Sequence, residues 1–225
     1  MNNCTVDNIT ESKRLAGIKA ANLVTNNMIV GLGTGSTVFF AIERIGQRIK
    51  SENLNILGIP TSYQTELVAI EHGIPLTSLS VHNQIDIAID GADQVDPNMN
   101  LIKGRGAALL REKIVANASK QFVVVIDPKK KVNCLDTTVP IEVLPFAYGS
   151  VIKRLKEIGG NPMLRNGIKK NGPIITDNGN YIIDCTFGLI EKPECLEPEI
   201  NSIPGIIENG IFSSFKDKTT LIVGN

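Results

Sequence analysis

Three apolar residues, Met28-Ile29-Val30, run directly into Gly31-Leu32-Gly33-Thr34-Gly35-Ser36-Thr37, and the chain continues as Val38-Phe39-Phe40-Ala41-Ile42. A buried strand, a glycine-rich turn and an amphipathic helix in immediate succession constrain the fold more than any other stretch. The turn lets backbone N–H groups approach an anion closely. The helix N-terminus adds the positive end of its dipole, and Ser36 and Thr37 add hydroxyl donors. A phosphate fits this chemistry; a strand–helix turn without a ligand is the plain alternative.

Residue identity argues against two familiar phosphate motifs. A P-loop requires Gly-Lys-Ser/Thr, and no lysine stands in this turn. A dinucleotide fingerprint requires G-x-G-x-x-G, followed about 20 residues on by an acidic residue. Here the third glycine comes one residue early, and the next apolar run, 54–59, ends in Pro60-Thr61-Ser62. A phosphate monoester therefore fits better than a dinucleotide.

Apolar periodicity around this unit predicts helix 12–25, strand 28–32, helix 38–50, strand 54–59 and helix 63–72. A short strand near Leu76, strand 85–89, helix 107–118 and strand 122–126 follow. Such alternation predicts an α/β fold, a Rossmann-like open parallel sheet with helices on both faces. From about Leu135 the pattern changes to strand 139–144 and helix 148–158. Next come a hairpin of Ile174-Ile175 and 181–185 around Thr176-Asp177-Asn178-Gly179-Asn180, a short helix 198–202 and strand 205–212. This β-α-β-β-α-β order is the split ferredoxin-like plan. The last apolar run, 219–223, is expected to return to the first sheet. The expected division is a Rossmann-like domain of residues 1–134 and 212–225, with a smaller α+β ferredoxin-like domain, residues 135–211, inserted near its end.

With 23 basic and 23 acidic side chains the chain is neutral and has no basic tract, which argues against a nucleic-acid partner. No apolar run is long enough to span a bilayer. The polar stretch 1–13 lacks a signal-peptide core, and a cytoplasmic location is expected. Cys4, Cys134, Cys185 and Cys195 form no C-x-x-C pair and read as reduced thiols. His72 and His82 are the only histidines and share no helix face, which argues against a zinc site and against a Ser/His or Cys/His hydrolase.

Three charged segments stand out. Ile85, Ile87 and Ile89 alternate with Asp86, Ala88 and Asp90, and this one-faced strand ends in Asp90-Gly91-Ala92-Asp93. Open α/β sheets bind ligands at the carboxyl ends of their strands. Two carboxylates there can hold sugar hydroxyls or shuttle protons; an Asp-rich turn accounts for the same residues. Asp90, Asp93 and Asp96 lack the spacing of a calcium loop. Lys103-Gly104-Arg105-Gly106 comes next, before a helix that is apolar nearly all round. Arg111, Glu112 and Lys113 in that helix span about 200° of its circumference, so at least one points into a cleft or pairs inside. Ala108 and Ala116, four residues to either side of Glu112, leave room for a ligand above its carboxylate; an exposed glutamate or a structural ion pair is the alternative. Asp127-Pro128-Lys129-Lys130-Lys131 reads as a solvated charge run or as a lysine reaching a phosphate or sugar oxygen.

Taken together, the glycine turn at 31–37, the Asp90-Gly91-Ala92-Asp93 turn, and Lys103-Gly104-x-Gly106 followed by Ala107-Ala108-Leu109 and Arg111-Glu112-Lys113-Ile114 resemble the ribose-5-phosphate isomerase type A family, along essentially the whole chain. The resemblance implies an aldose–ketose isomerase of the non-oxidative pentose phosphate pathway that interconverts D-ribose 5-phosphate and D-ribulose 5-phosphate. It implies a substrate loop of Thr34, Gly35, Ser36 and Thr37, and a turn that places Asp90 and Asp93, with Gly91 and Ala92, near the sugar hydroxyls. It implies a second wall of Lys103, Gly104, Arg105 and Gly106, and Glu112 as the catalytic base, with Asp90, Asp93 and Lys103 completing the catalytic set. Lys130 matches the substrate lysine after the next strand, with Lys129 and Lys131 as alternatives, and Lys13 assists the phosphate. No metal and no cofactor are implied. The implied partners are the sugar phosphate and further copies of the chain, as a homodimer or dimer of dimers; no membrane or nucleic acid is among them. One departure is Lys-Gly-Arg-Gly where the family commonly has Lys-Gly-Gly-Gly, so that Arg105 either points outward or adds a cation to the pocket. A sugar-phosphate sensor without turnover could lose Glu112 or Lys103, and this chain has both. An amino-sugar phosphate isomerase/deaminase or a coenzyme A transferase would share fold features only.

Overall fold

The structure, a computed structural model, describes residues 3–169 and 171–224, with side chains from residue 8 onward. In chain order its elements begin with α1 (Asn3–Ala21), β1 (Ile29–Leu32), α2 (Val38–Glu52), β2 (Leu57–Pro60), α3 (Tyr63–Glu71), β3 (Ile85–Gly91), β4 (Gln94–Val95), β5 (Leu101–Ile102), α4 (Leu109–Ala118) and β6 (Ser119–Ile126). They continue with β7 (Val139–Val143), α5 (Tyr148–Glu157), β8 (Asn161–Leu164), β9 (Tyr181–Thr186), α6 (Pro193–Asn201), β10 (Ile206–Asn209), β11 (Ile211–Phe212) and β12 (Thr219–Val223). The chain divides into two compact units.

The first unit takes the residues up to Ala92, Arg111–Lys131 and the segment from Asp217 on. Its five strands form a parallel sheet in the order β12-β6-β3-β1-β2. The return of 219–223 to this sheet is realised as edge strand β12, in register with β6 from Thr219↔Phe122 to Val223↔Ile126. From β1 the chain moves outward to β2, then crosses back to the other side of β1 for β3. The carboxyl ends of β1 and β3 thus form the switch point of the sheet, where open α/β folds leave a crevice for ligands.

Alternation along the strands explains how helices cover both faces. Val30 and Leu32, Ile87 and Ile89, and Val123 and Val125 bury one face against Ala16, Ala20 and Ala21 of α1 and Val38, Ala41, Ile42 and Ile45 of α2. On the other face small residues oppose each other, Gly31 against Ala88, and Val115 of α4 fills the space above them. The strand 85–91 is buried on both faces rather than one, with Ala88 and Asp90 as inaccessible as the isoleucines, because β3 is the middle strand of five. Helix α1 starts at Asn3 rather than at 12, since the polar and β-branched residues 3–11 carry no apolar period. The short strand near Leu76 reduces to a single bridge with Gly58.

The second unit takes Asp93–Leu110 and Val132–Lys216. Its antiparallel sheet has the order β10-β7-β9-β8, the 4-1-3-2 arrangement of the split plan, with α5 and α6 as the crossover helices. Val139, Ile141 and Val143, with Ile183 and Cys185, pack on Val151 and Leu155 of α5 and Ile200 of α6. A second sheet, β11-β5-β4, explains why 93–110 clusters here and not with 1–92, unlike the division at 1–134, 135–211 and 212–225. Ile211 pairs with Ile102, and both enter the same core.

Two further expectations are corrected. The strand 205–212 breaks at Gly210, whose N–H bonds Pro140 O (2.7 Å) while its carbonyl accepts Lys103 N–H (2.9 Å), so the chain passes from one sheet to the other. The strand before β9 in the chain that pairs with it is β8, over Asn161–Leu164, not Ile174-Ile175, of which only Ile175 makes an isolated bridge to Tyr181. Pro162 hides β8 from a propensity reading, and an edge strand tolerates it because one side of its backbone needs no partner.

A Cβ on Gly31 would lie 2.4 Å from Val115 Cγ1 and 2.9 Å from Ala88 Cβ. Gly31→Ala is therefore expected to lower unfolding free energy by about 1–3 kcal/mol through overpacking. An unchanged denaturant midpoint would contradict this packing.

Candidate active site

In the first unit the chemistry collects at the carboxyl ends of β1, β2 and β3. Gly33 N–H continues the β1–β3 ladder by bonding Ile89 O (2.9 Å). Asp90, only 2% exposed, turns its carboxylate back over this point. Its Oδ1 accepts from Thr34 N–H (3.2 Å) and from Gly91 N–H (2.7 Å). Gly33 is glycine because of this carboxylate: a Cβ there would sit 2.2 Å from Asp90 Cγ and Oδ1. Gly35 has φ +136°, a backbone that side chains rarely adopt, and opens the turn toward solvent.

Hydroxyls from the end of β2 and the start of α3 fasten the same turn. Thr34 Oγ1 lies 2.9 Å from Thr61 Oγ1, 2.7 Å from Ser62 Oγ and 3.0 Å from Thr65 Oγ1. Thr65 Oγ1 donates to Gly33 O (2.8 Å) and Thr61 Oγ1 to Leu32 O (3.1 Å). Ser62 caps α3 by accepting Thr65 N–H (3.1 Å). Sequence reasoning read Pro60-Thr61-Ser62 only as the end of a strand. The signal it passed over was Ser62 and Thr65 at N-cap spacing, which aims two hydroxyls at one point. Beyond Thr34, Ser36 is exposed and its Oγ accepts from Lys13 Nζ (3.0 Å), which brings a cation from α1 to the turn. Thr37 is buried at the N-cap of α2 and makes no side-chain capping bond.

Helix α4 inverts the usual polarity. Glu112 is 3% exposed and Lys113 is buried, while Ile114 beside them is exposed. Arg111 lays its guanidinium over the Tyr63 ring at 4.9 Å. The three charges thus diverge, as their angular spread requires, and Glu112 is one that turns inside. After β6, Asp127 accepts Lys129 N–H (3.0 Å) and starts a 3₁₀ turn, Pro128–Lys130. Lys130 is half-buried, whereas Lys129 and Lys131 are exposed.

In the second unit Asp93 N–H bonds Ile102 O (2.7 Å), and Asp93 Oδ2 accepts Arg105 N–H (3.1 Å). Lys103 is 2% exposed and holds its ammonium 5.5 Å from the centre of the Phe212 ring. Gly104, at φ +102°, has no room for a side chain, since a Cβ would meet Leu109 Cβ at 2.8 Å. Arg105 is exposed, and its backbone N–H and carbonyl are both hydrogen-bonded, to Asp93 Oδ2 and from Arg165 Nη1. Asp96 turns inward onto Asn98 and Asn100 as a structural turn. Among the described residues no three His, Cys, Asp or Glu side chains gather as a metal-holding group. Cys134, Cys185 and Cys195 are free thiols, and burial pushes Cys185 up to a pKa of about 12, far from reactive; the Cys4 side chain lies outside the described residues.

Fold and chemistry define the class: an open α/β protein with a glycine–hydroxyl turn and a buried carboxylate at the switch point of its sheet. Residues 57–225 match the family model of ribose 5-phosphate isomerase A (phosphoriboisomerase A). The chain is 53% identical over 213 residues to a ribose-5-phosphate isomerase A of Methanosarcina acetivorans, covering 95% of this chain and 90% of that protein. It is 48% identical over 220 residues to one of Pyrococcus horikoshii, covering 96% and 95%. A solved D-ribose-5-phosphate isomerase in complex with phospho-erythronic acid has a TM-score of 0.90 at 48% identity, covering 92% of each chain. The ribose 5-phosphate isomerase A of Methanocaldococcus jannaschii has a TM-score of 0.89 at 44% identity, covering 94% of this chain and 96% of that one. The chain belongs to the ribose 5-phosphate isomerase A family.

Gly33→Ala is expected to displace the Asp90 carboxylate and to destabilise the protein by about 1–3 kcal/mol. In an Asp90→Ala background the penalty should shrink without vanishing, because the carboxylate is gone while Asp90 Cα, 2.7 Å from such a Cβ, stays. Equal penalties in both backgrounds would show that Asp90 is not what excludes a side chain at 33.

Proposed function

We propose that this chain interconverts D-ribose 5-phosphate and D-ribulose 5-phosphate through a cis-enediolate, with Glu112 as the proton-transferring base. The observation that carries the reading is the family match along nearly the whole chain, including 53% identity over 213 residues to a protein named for this activity. One solved relative is in complex with phospho-erythronic acid, a phosphorylated sugar acid, which supports a sugar-phosphate substrate.

The reaction moves one hydrogen and one carbonyl by a single carbon. In the open-chain aldose the Glu112 carboxylate takes the proton from C2. The C–H electron pair becomes the C1–C2 double bond, and the carbonyl pair moves onto O1. The O2 proton then passes to O1, the carbonyl forms at C2, and Glu112 returns its proton to C1. The substrate is oxidised at C2 and reduced at C1, so the electron balance closes without a redox partner. The negative charge of the enediolate exists chiefly at the transition state and intermediate, so Lys103 stabilises these more than the substrate. Asp90 and Asp93 serve ring opening and the transfer of hydroxyl protons. Thr34, Gly35, Ser36 and Thr37, with Lys13 and Lys130, hold the phosphate and so fix the reacting carbons. On the same resemblance we place the protein in the cytoplasm, as a homo-oligomer.

Turnover of ribose 5-phosphate in the presence of a chelator tests the reading directly; wild-type protein that binds the sugar phosphate and does not isomerise it would be a sensor. Glu112→Gln keeps the shape and cannot accept the proton, so turnover should fall about 10²–10⁴-fold with binding largely kept. Near-normal activity in folded Glu112→Gln protein removes Glu112 from the role of base. Lys103→Met keeps the stem without the charge, and its main defect should lie in kcat; a rise in KM alone would make Lys103 a ground-state binding residue.

A further inference from the structure

We propose that Arg165 is a positioning residue for this reaction, acting through one peptide group on Asp93 and on the loop that carries Lys103. The proposal rests on the isomerase reading, and it begins from a side chain that no motif of the chain contains.

Arg165 follows β8 and is held from both sides by its own backbone: its N–H bonds Ile182 O, and its carbonyl accepts Ile174 N–H, each at 2.9 Å. Its side chain is 14% exposed and grips Asp184 of β9 with both arms of a fork, Nε to Oδ2 at 2.7 Å and Nη2 to Oδ1 at 2.5 Å. That leaves Nη1, which donates to two consecutive carbonyls, Gly104 O (3.2 Å) and Arg105 O (3.0 Å). The Gly104–Arg105 peptide is thereby engaged at both ends. Its carbonyl takes a hydrogen bond from the Arg165 cation, and its N–H gives one to the Asp93 carboxylate (3.1 Å). Bonds in such a chain polarise one another. The guanidinium is neutralised locally by Asp184, so its reach to Asp93 is through this bonded path and not through long-range charge.

The loop needs such a hold. Gly104 has φ +102° and Ala107 has φ +61°, the latter uncommon for a residue with a side chain. A backbone bond, Ala107 N–H to Gly104 O (2.9 Å), closes the turn from within. Asp184 aims the fork, and only a planar guanidinium can serve the carboxylate with two nitrogens and the carbonyls with a third. A lysine would supply the charge and lose that geometry.

The experiment compares wild type, Arg165→Met, Arg165→Lys and Asp184→Asn by steady-state kinetics on ribose 5-phosphate, with folding checked by thermal unfolding. Arg165→Met should lower kcat about 10- to 100-fold while KM moves little, because the phosphate grip lies elsewhere and misplacement acts on the chemical step. Arg165→Lys should recover only part of the loss, and Asp184→Asn should lower kcat in the same direction. The decisive arm is a cycle with Asp93→Ala: once Asp93 is gone, Arg165→Met should cost far less than it does in wild type. Multiplicative losses in the cycle, or a kcat near wild type in folded Arg165→Met, overturn the proposal. Amide hydrogen exchange at Arg105 needs no substrate and should quicken at least about tenfold in Arg165→Met; unchanged exchange also overturns it. If wild type fails to isomerise ribose 5-phosphate, the isomerase reading falls, and the exchange result still decides whether Arg165 holds the loop.

Discussion

A carboxylate sealed at the end of the middle strand organises the first unit. Asp90 lies where β3 leaves the sheet, and burying it in an ionised form is costly unless donors reach it. Thr34 N–H and Gly91 N–H are among the donors that do. That requirement propagates. It brings the backbone after β1 close to β3, it bars any side chain at Gly33, and it sets the direction in which the turn carries Gly35 and Ser36 into solvent. The hydroxyls of Thr61, Ser62 and Thr65 then close on Thr34 from the other neighbour of β1. A turn that looks flexible from its glycines is in fact fastened from both neighbours of β1.

The same tension between local rule and tertiary demand recurs on α4 and in the second unit. A helix that buries Glu112 and Lys113 and exposes Ile114 contradicts simple amphipathic patterning. Such conflicts concentrate where function sets the residue. Glu142 is a different case. It is fully buried on β7, and its Oε1 accepts from Thr176 Oγ1 (2.9 Å), Asn178 Nδ2 (3.0 Å) and Asn180 Nδ2 (2.9 Å). The turn that reads as an ordinary hairpin loop therefore spends its polar side chains on a carboxylate, which ties it down over the sheet.

Much of this was legible in the chain itself. Strand–turn–helix succession has a local cause, because glycine, β-branched and amphipathic patterns act within a few residues. The parallel sheet and the return of 219–223 follow from such patterns; so does the split β-α-β-β-α-β order, although Ile174-Ile175 stands in the reading where β8 stands in the fold. So does the inward turn of at least one charge among Arg111, Glu112 and Lys113, which is a matter of helix angle. The edge strand β8 stayed hidden because Pro162 suppresses local strand propensity, and only its place at the edge of the sheet makes the proline harmless. The polar start of α1 stayed hidden because it lacks an apolar period.

Alone, then, the sequence determined the class of fold, the identity of the glycine turn and the residues with the chemistry to serve it, since each of these depends on neighbours close along the chain. Tertiary structure decided which groups meet. Asp90 and Gly33 lie at the ends of strands joined only through two crossovers; Arg165 reaches carbonyls sixty residues away at Arg105 and sixty-one at Gly104; Asp93–Leu110 clusters with the second unit, where Leu101-Ile102 pairs with Ile211-Phe212. Such contacts are set by sheet order, register and the directions of side chains on packed elements, and no periodicity or spacing along a single chain encodes them locally.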